Sequence, residues 1–192
     1  MIFHEKQDTF QPTKHWGRVH VYTGEGKGKT TAALGLSMRA LGHGFSVLFV
    51  QFLKHHRDLG EFKLQTQLRE HIPQFEIVQF GQPGVIDLSQ PSSVDVFYAK
   101  QGIDYARAAV QRDGTRPDLV VLDEVNVLVH YGIVPERFLL DFLANKPQNT
   151  EMVLTGRYAP PSIVEYADLI TEMTPVKHYY HDAFQARQGI EY

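Results

Sequence analysis

The stretch Thr23-Gly24-Glu25-Gly26-Lys27-Gly28-Lys29-Thr30-Thr31 constrains this chain more than any other. It follows an apolar run, Val19-His20-Val21-Tyr22, that reads as a strand. It opens into a helical pattern with Leu34, Met38 and Leu41 at i, i+4 and i+7. Strand, glycine-rich turn, Lys-Thr and helix in that order describe a phosphate-binding loop. Glycines let the backbone curl so that successive N–H groups face phosphate oxygens, and the helix N-terminus adds unpaired donors and partial positive charge. Gly24, Glu25, Gly26, Lys27, Gly28, Lys29, Thr30 and Thr31 are therefore the candidate nucleotide-binding residues. Lys29 would neutralise the outer phosphates, and the Thr30 hydroxyl would sit on Mg²⁺. The usual pattern has a glycine five residues before Gly28, where this chain has Thr23, so the loop is one residue short. A glycine-rich hairpin or a basic surface turn is the plainer alternative, and the strand before and helix after weigh against it.

The run Leu119-Val120-Val121-Leu122-Asp123-Glu124 supplies the second half of such a site. A buried strand ending in carboxylates delivers an acidic group beside the metal, opposite the loop threonine. Asp123 and Glu124 are both candidates for the metal or for positioning water, and the sequence does not choose between them. Asp123 could instead cap a following helix. Arg157, just past the strand 151–155, suits a phosphate clamp or an ordinary surface position.

Further strands are expected at 46–52, buried on both faces, at 75–80 and at 167–173. Helices are expected at 60–71, at 94–112 with a stripe of Val94, Phe97, Tyr98, Tyr105, Ala108 and Ala109, at 135–145, and briefly after Pro160-Pro161. Segment 81–93, with two prolines and two glycines, is a long loop of the kind that often carries function. Lys54-His55-His56-Arg57-Asp58 lies where ligands sit in parallel sheets, yet its paired histidines lack a third ligand at recognisable spacing and read as a solvated loop. The alternation predicts one α/β domain over 18–192, with a mainly parallel sheet flanked by helices, preceded by an arm over 1–17.

Composition excludes several classes. The 192 residues hold no cysteine, which removes disulfides, thiolate metal sites and cysteine nucleophiles and fits a reducing cytosol. A net charge of −3 argues against a nucleic-acid footprint spread over the surface. No secretory signal stands at the N-terminus, and no apolar run approaches the roughly 18 residues of a membrane span. The expectation is a cytoplasmic protein.

Taken together, the residues resemble the P-loop type ATP:corrinoid adenosyltransferases. The likeness is carried by Thr23-Gly24 through Lys29-Thr30-Thr31-Ala32-Ala33, Arg39-Ala40-Leu41-Gly42-His43-Gly44, Val50-Gln51-Phe52-Leu53-Lys54, Leu122-Asp123-Glu124 with Tyr131-Gly132, and Leu154-Thr155-Gly156-Arg157. It continues through Ala167-Asp168-Leu169-Ile170-Thr171-Glu172-Met173, Pro175-Val176-Lys177-His178 and Gln188-Gly189-Ile190-Glu191-Tyr192. The short loop is itself a family trait. The resemblance implies a RecA-like P-loop fold and attack of a reduced Co(I) corrinoid, cob(I)alamin or cob(I)yrinic acid a,c-diamide, on the 5′ carbon of ATP. Triphosphate would leave, in cobalamin synthesis or salvage. It further implies Mg²⁺ or Mn²⁺, a homodimer, an N-terminal arm over the corrinoid, and an electron donor such as a flavodoxin. Lys29, Thr30 and Glu124 would be catalytic, Thr30, Asp123 and Glu124 would hold the metal, and Arg39 or Arg157 would face the leaving triphosphate. No general base is required, since Co(I) is already a strong nucleophile.

Three features depart from that pattern. Glu25 stands where the family usually has asparagine, Gly84-Val85-Ile86-Asp87 lacks the aromatics that help strip the lower cobalt ligand, and the N-terminal arm is short. Two other classes of function are consistent with the phosphate loop: an ordinary P-loop NTPase or kinase, releasing orthophosphate or a phosphorylated product, and a nucleotide- or corrinoid-binding module without turnover.

Overall fold

A computed structural model describes residues 17–84, 86–179 and 185–192. The expected arm over 1–17 therefore lies, apart from Gly17, outside the described residues. The elements run β1 (Val19–Thr23), α1 (Lys29–Gly42), β2 (Val47–Phe52), α2 (Gly60–Leu68), β3 (Phe75–Phe80) and α3 (Ser93–Val110). They continue with β4 (Leu119–Asp123), α4 (Val125–His130), α5 (Glu136–Ala144), β5 (Glu151–Thr155), α6 (Pro161–Tyr166) and β6 (Leu169–Glu172).

The six strands form one sheet in the order β3-β2-β4-β5-β1-β6, and every pairing is parallel. A parallel pair needs a crossover, which is why helices separate the strands and cover both faces. Alternation along β2 divides the core. Leu48, Val50 and Phe52 join the side that includes Ala99, Ile103, Leu128, Leu139 and Phe142, while Val47 and Phe49 join the side of Ala33, Phe75 and Ile77. All six residues of β2 are buried, as a strand covered on both faces requires.

Two helices turn inward a face that only partly matches the one their largest side chains suggest. On α1 the buried positions are Lys29, Ala33 and Ser37, and Leu34 and Leu41 of the expected stripe pack partly buried against the same core, while Met38 is 70% exposed. On α3 they include Ala99, Gly102, Ile103, Ala106, Ala109 and Val110, whereas Val94 and Phe97 are exposed. The reason is close approach. A Cβ on Gly102 would stand 2.3 Å from Phe52 Cε1, so a glycine at this position lets α3 lie close on the sheet. Burying Phe52 completely contributes roughly 1.5–3 kcal/mol, more than exposing Phe97 forfeits. The start of α3 is fixed by a capping box between Ser92 and Asp95.

Parallel pairing puts the carboxyl ends of all six strands along one edge. The loop after β1, Lys54 after β2, Asp123-Glu124 at the end of β4 and Gly156-Arg157 after β5 consequently meet there.

Candidate active site

The loop between β1 and α1 is pressed against the end of β6. The Gly26 N–H donates to the Met173 carbonyl at 2.6 Å, so this donor faces the sheet and not a ligand. A Cβ at Gly24 or Gly26 would come within 2.5 or 2.7 Å of that same oxygen, and Gly24 has φ +94. These two glycines are thus required by contact, and Gly24 by conformation as well. Beyond them α1 begins at Lys29 with no side-chain cap and no acid in its first turn. Its first N–H groups have no intrahelical acceptor and are available to an anion.

Lys29 is 8% exposed, and its ammonium donates to the carbonyls of Gly24 (2.7 Å) and Gly26 (2.8 Å). Burial pulls its pKa below the ordinary value. Arg157 adds to that pull, while Glu124, Glu25 and Asp123 oppose it. The lysine is held folded against the loop at the wall of the cleft.

Asp123 is fully buried, and both of its oxygens are occupied. Oδ1 accepts from Thr30 Oγ1 (2.9 Å) and Thr155 Oγ1 (2.7 Å), and Oδ2 accepts from Lys54 Nζ (2.6 Å). Burial, the largest single influence, lowers the Lys54 pKa, but its pairing with Asp123 together with the nearby Glu124 and Glu61 raises it overall. Because the Thr30 hydroxyl gives its proton to Asp123, its lone pairs remain for a cation in the cleft. Thr155 also accepts the Glu124 N–H at 2.9 Å, which ties the end of β4 to β5.

Glu124 has left-handed backbone geometry, φ 69, and its side chain enters the cleft. Such a conformation costs on the order of 1–3 kcal/mol outside glycine and persists where surrounding contacts hold it. Burial, then the neighbouring Asp123, raises its pKa above the ordinary carboxylate value. Of the two carboxylates, Glu124 is the one open to a ligand.

The cleft has a volume of about 540 Å³ and is lined by Glu25 through Thr31, Leu53, Leu88, Glu124, Val127, Tyr131, Arg157, Tyr158, His178 and Glu191. One wall is aromatic: His130 and Tyr158 lie 4.6 Å apart, with Tyr131 edge-on to both. On the opposite side Lys27 Nζ donates to the Ile190 carbonyl at 3.1 Å. The Glu191 carboxyl is held down at about 2 by hydrogen bonds from Arg187 and Tyr179.

Arg157 reaches the cleft from a fixed root. Gly156 (φ +128) packs against Asn126 and Val127, and the Asn126 amide donates to its carbonyl at 3.3 Å. The guanidinium pairs with Glu25, Nε to Oε2, at 3.3 Å. The unusual loop carboxylate thus meets a cation. Arg39 does not join this group. It lies exposed in the last turn of α1, beside a separate pocket with Leu36, His43 and Glu151. Nine residues of helical rise place it about 14 Å beyond Thr30. Helical geometry, which a motif match ignores, carries it to the far end of the sheet.

Sequence reasoning passed over Lys54, Thr155 and Tyr158. Lys54 carried a positional signal, being just past the end of a buried strand. The other two act through neighbouring strands and rings that are far apart in sequence. His55 and His56 are exposed. No cluster of three or more His, Cys, Asp or Glu among the described residues could hold a metal. The oxygen donors present, Thr30 and Glu124, suit a Mg²⁺-type ion that takes its remaining ligands from phosphate and water.

The sheet, the glycine loop and the acidic strand end define a P-loop nucleotide-binding protein. A KaiC-like protein from Pyrococcus horikoshii shares the fold, with a TM-score of 0.54 at 16% identity over 84% of this chain and 74% of that one. Residues 15–192 match the family model of the ATP:corrinoid adenosyltransferases BtuR, CobO and CobP, and the chain belongs to that family. It is similar to the corrinoid adenosyltransferases of Sinorhizobium sp. (34% identical, covering 94% of this chain and 82% of that one) and Escherichia coli K12 (34%, 92% and 86%). No helix of the described residues is long and apolar enough to cross a membrane.

Proposed function

We propose that this cleft transfers the 5′-deoxyadenosyl group of ATP to the Co(I) centre of a reduced corrinoid and releases triphosphate. The observation that carries the reading is the convergence of Lys29, Thr30, Glu124 and Arg157 on one cleft at the carboxyl edge of the sheet, in a chain of this family. The bare start of α1 and Lys27 through Thr31 would cradle the phosphates. Lys29, on leaving the loop carbonyls, and Arg157 would face the negative charge that gathers on the leaving group. A Mg²⁺ or Mn²⁺ ion would neutralise further phosphate charge when bound, held by Thr30 and Glu124. Asp123 acts behind them, orienting the Thr30 hydroxyl. The Tyr131–Tyr158 wall supplies apolar surface for the nucleoside or the corrin, and positioning does the remainder of the work, since the nucleophile needs no base.

On this reading residues 18–192 act as one nucleotide-binding domain in a cytoplasmic homodimer, served by a flavodoxin-type electron donor. An anaerobic assay with Mg-ATP and chemically reduced corrinoid tests the central claim, with phosphorus NMR and the corrin spectrum followed together. Triphosphate appears in step with a light-sensitive alkylcobalt spectrum, and Lys29→Ala abolishes both. Orthophosphate without a cobalt–carbon bond would overturn the reading in favour of an ordinary NTPase.

A further inference from the structure

Three cations, Lys27, Lys29 and Arg157, line the cleft together with three carboxylates, Glu25, Glu124 and Glu191. Their formal charges cancel, an unexpected balance for a site meant to attract a polyanion. Glu124 has a use as a cation ligand, and Glu191 is engaged by Arg187 and Tyr179. Glu25 is different. It sits inside the phosphate loop and its partner is Arg157, the clamp itself.

The geometry points to Glu25 as a built-in competitor for the phosphate site: its carboxylate holds Arg157, is displaced when a polyphosphate enters, and recaptures the guanidinium to hasten departure of the triphosphate product. This rests on the reading that the cleft binds the polyphosphate of ATP, and adds a residue that sets affinity and release.

Three observations support it. The backbone on either side of Glu25 is pinned, because Gly24 and Gly26 lie against the Met173 carbonyl and Gly26 N–H bonds to it. The Arg157 backbone is pinned as well, through Gly156 against Asn126 and Val127. Both side chains, by contrast, are about half exposed, at 52% and 51%. Two fixed roots with two free heads form a pair that opens without moving the loop. The pairing is also weak enough to break, since exposed ion pairs contribute only about 0–1 kcal/mol. A loosely held internal carboxylate opposes anion binding without preventing it.

The test measures binding of inorganic tripolyphosphate, with and without Mg²⁺, to the full chain by calorimetry, and its release rate by stopped flow. Wild type, Glu25→Gln, Glu25→Asn, Arg157→Gln and the double variant Glu25→Gln/Arg157→Gln are compared, with thermal melting to establish that each is folded. Removing the carboxylate tightens tripolyphosphate binding about two- to fivefold and slows release by a similar factor. Arg157→Gln weakens binding, and in its background Glu25→Gln changes affinity less than twofold, as coupling through one partner demands. Weaker binding by Glu25→Gln, above all with Mg²⁺ present, would show a cation ligand and overturn the proposal. So would a gain that persists without Arg157. Either result leaves the phosphate site standing so long as wild type binds tripolyphosphate and ATP, whereas no binding of either by wild type would sink both.

Discussion

At the scale of single residues, the site is organised by a threonine. Thr155 donates to Asp123 and accepts from the Glu124 N–H, so one hydroxyl sets the relation between two strands and two carboxylates. Thr155→Val keeps the shape but strands a backbone donor, at a cost of about 1–3 kcal/mol, which urea unfolding would read. Misplacing Glu124 lowers kcat by roughly tenfold or more, and Thr155→Ser restores most of both. Glu124 also predicts a pH dependence. Its pKa is raised on folding, so the folded protein holds that proton more tightly than the unfolded chain. The associated stability is present in full below the ordinary value of 4.5 and is lost as pH rises through the raised folded value. Glu124→Gln lacks that loss, so unfolding curves from acid to neutral pH show the variant gaining stability relative to wild type. Over the same range it fails to gain the Mg²⁺ dependence that wild type acquires as the carboxylate ionises.

Elements were easier to read from the chain than their inward faces. All six strands fall where apolar runs and turn residues put them, and α5 begins and ends within a residue of the expected 135–145. The loop declared itself because its residue types follow one another in one unbroken stretch: glycines that let the backbone curl, then a lysine and threonine at a helix start. What the sequence concealed depends on close approach and on distant partners. Large apolar residues suggested a stripe through Val94 and Phe97, but α3 lies so near Phe52 that glycine is needed at 102, and the inward face runs through Ala99, Ile103, Ala106, Ala109 and Val110 instead. No local pattern joins Glu25 to Arg157, or Lys54 to Asp123 across 69 positions. The distinction between glycines yields a prediction. Gly24→Ala meets the Met173 oxygen in a left-handed conformation, costs about 1–3 kcal/mol and weakens ATP binding. Gly35→Ala, on the open side of α1, meets nothing and stabilises by about 0.5–1 kcal/mol with ATP affinity unchanged. Thermal melting and ATP titration of the two variants separate a glycine required by contact from one that only loosens a helix.

At the scale of the whole molecule, the parallel sheet divides the chain into a chemical edge and a supporting edge, and Arg39 lies on the wrong side of that division. Its place in the last turn of α1 forbids it from clamping phosphate in its own cleft without dismantling the helix. A phosphate role for Arg39 therefore demands a second copy, supplied by the proposed homodimer, and this is decidable by mixing variants. Lys29→Ala lacks the loop lysine, and Arg39→Gln lacks the arginine. After unfolding and refolding an equal mixture, half of the dimers contain one chain of each kind. If arginine crosses between copies, each mixed dimer has one site with both groups intact, and activity returns to about one quarter of wild type. If arginine serves its own chain, no site in any dimer is complete and the mixture stays as inactive as its components. The arrangement of α1 predicts recovery. Failure to recover between two inactive variants, with dimers verified by light scattering, would overturn the crossing, whereas an Arg39→Gln chain fully active on its own would assign Arg39 to the surface and leave Lys29 and Arg157 as the cations for the leaving triphosphate.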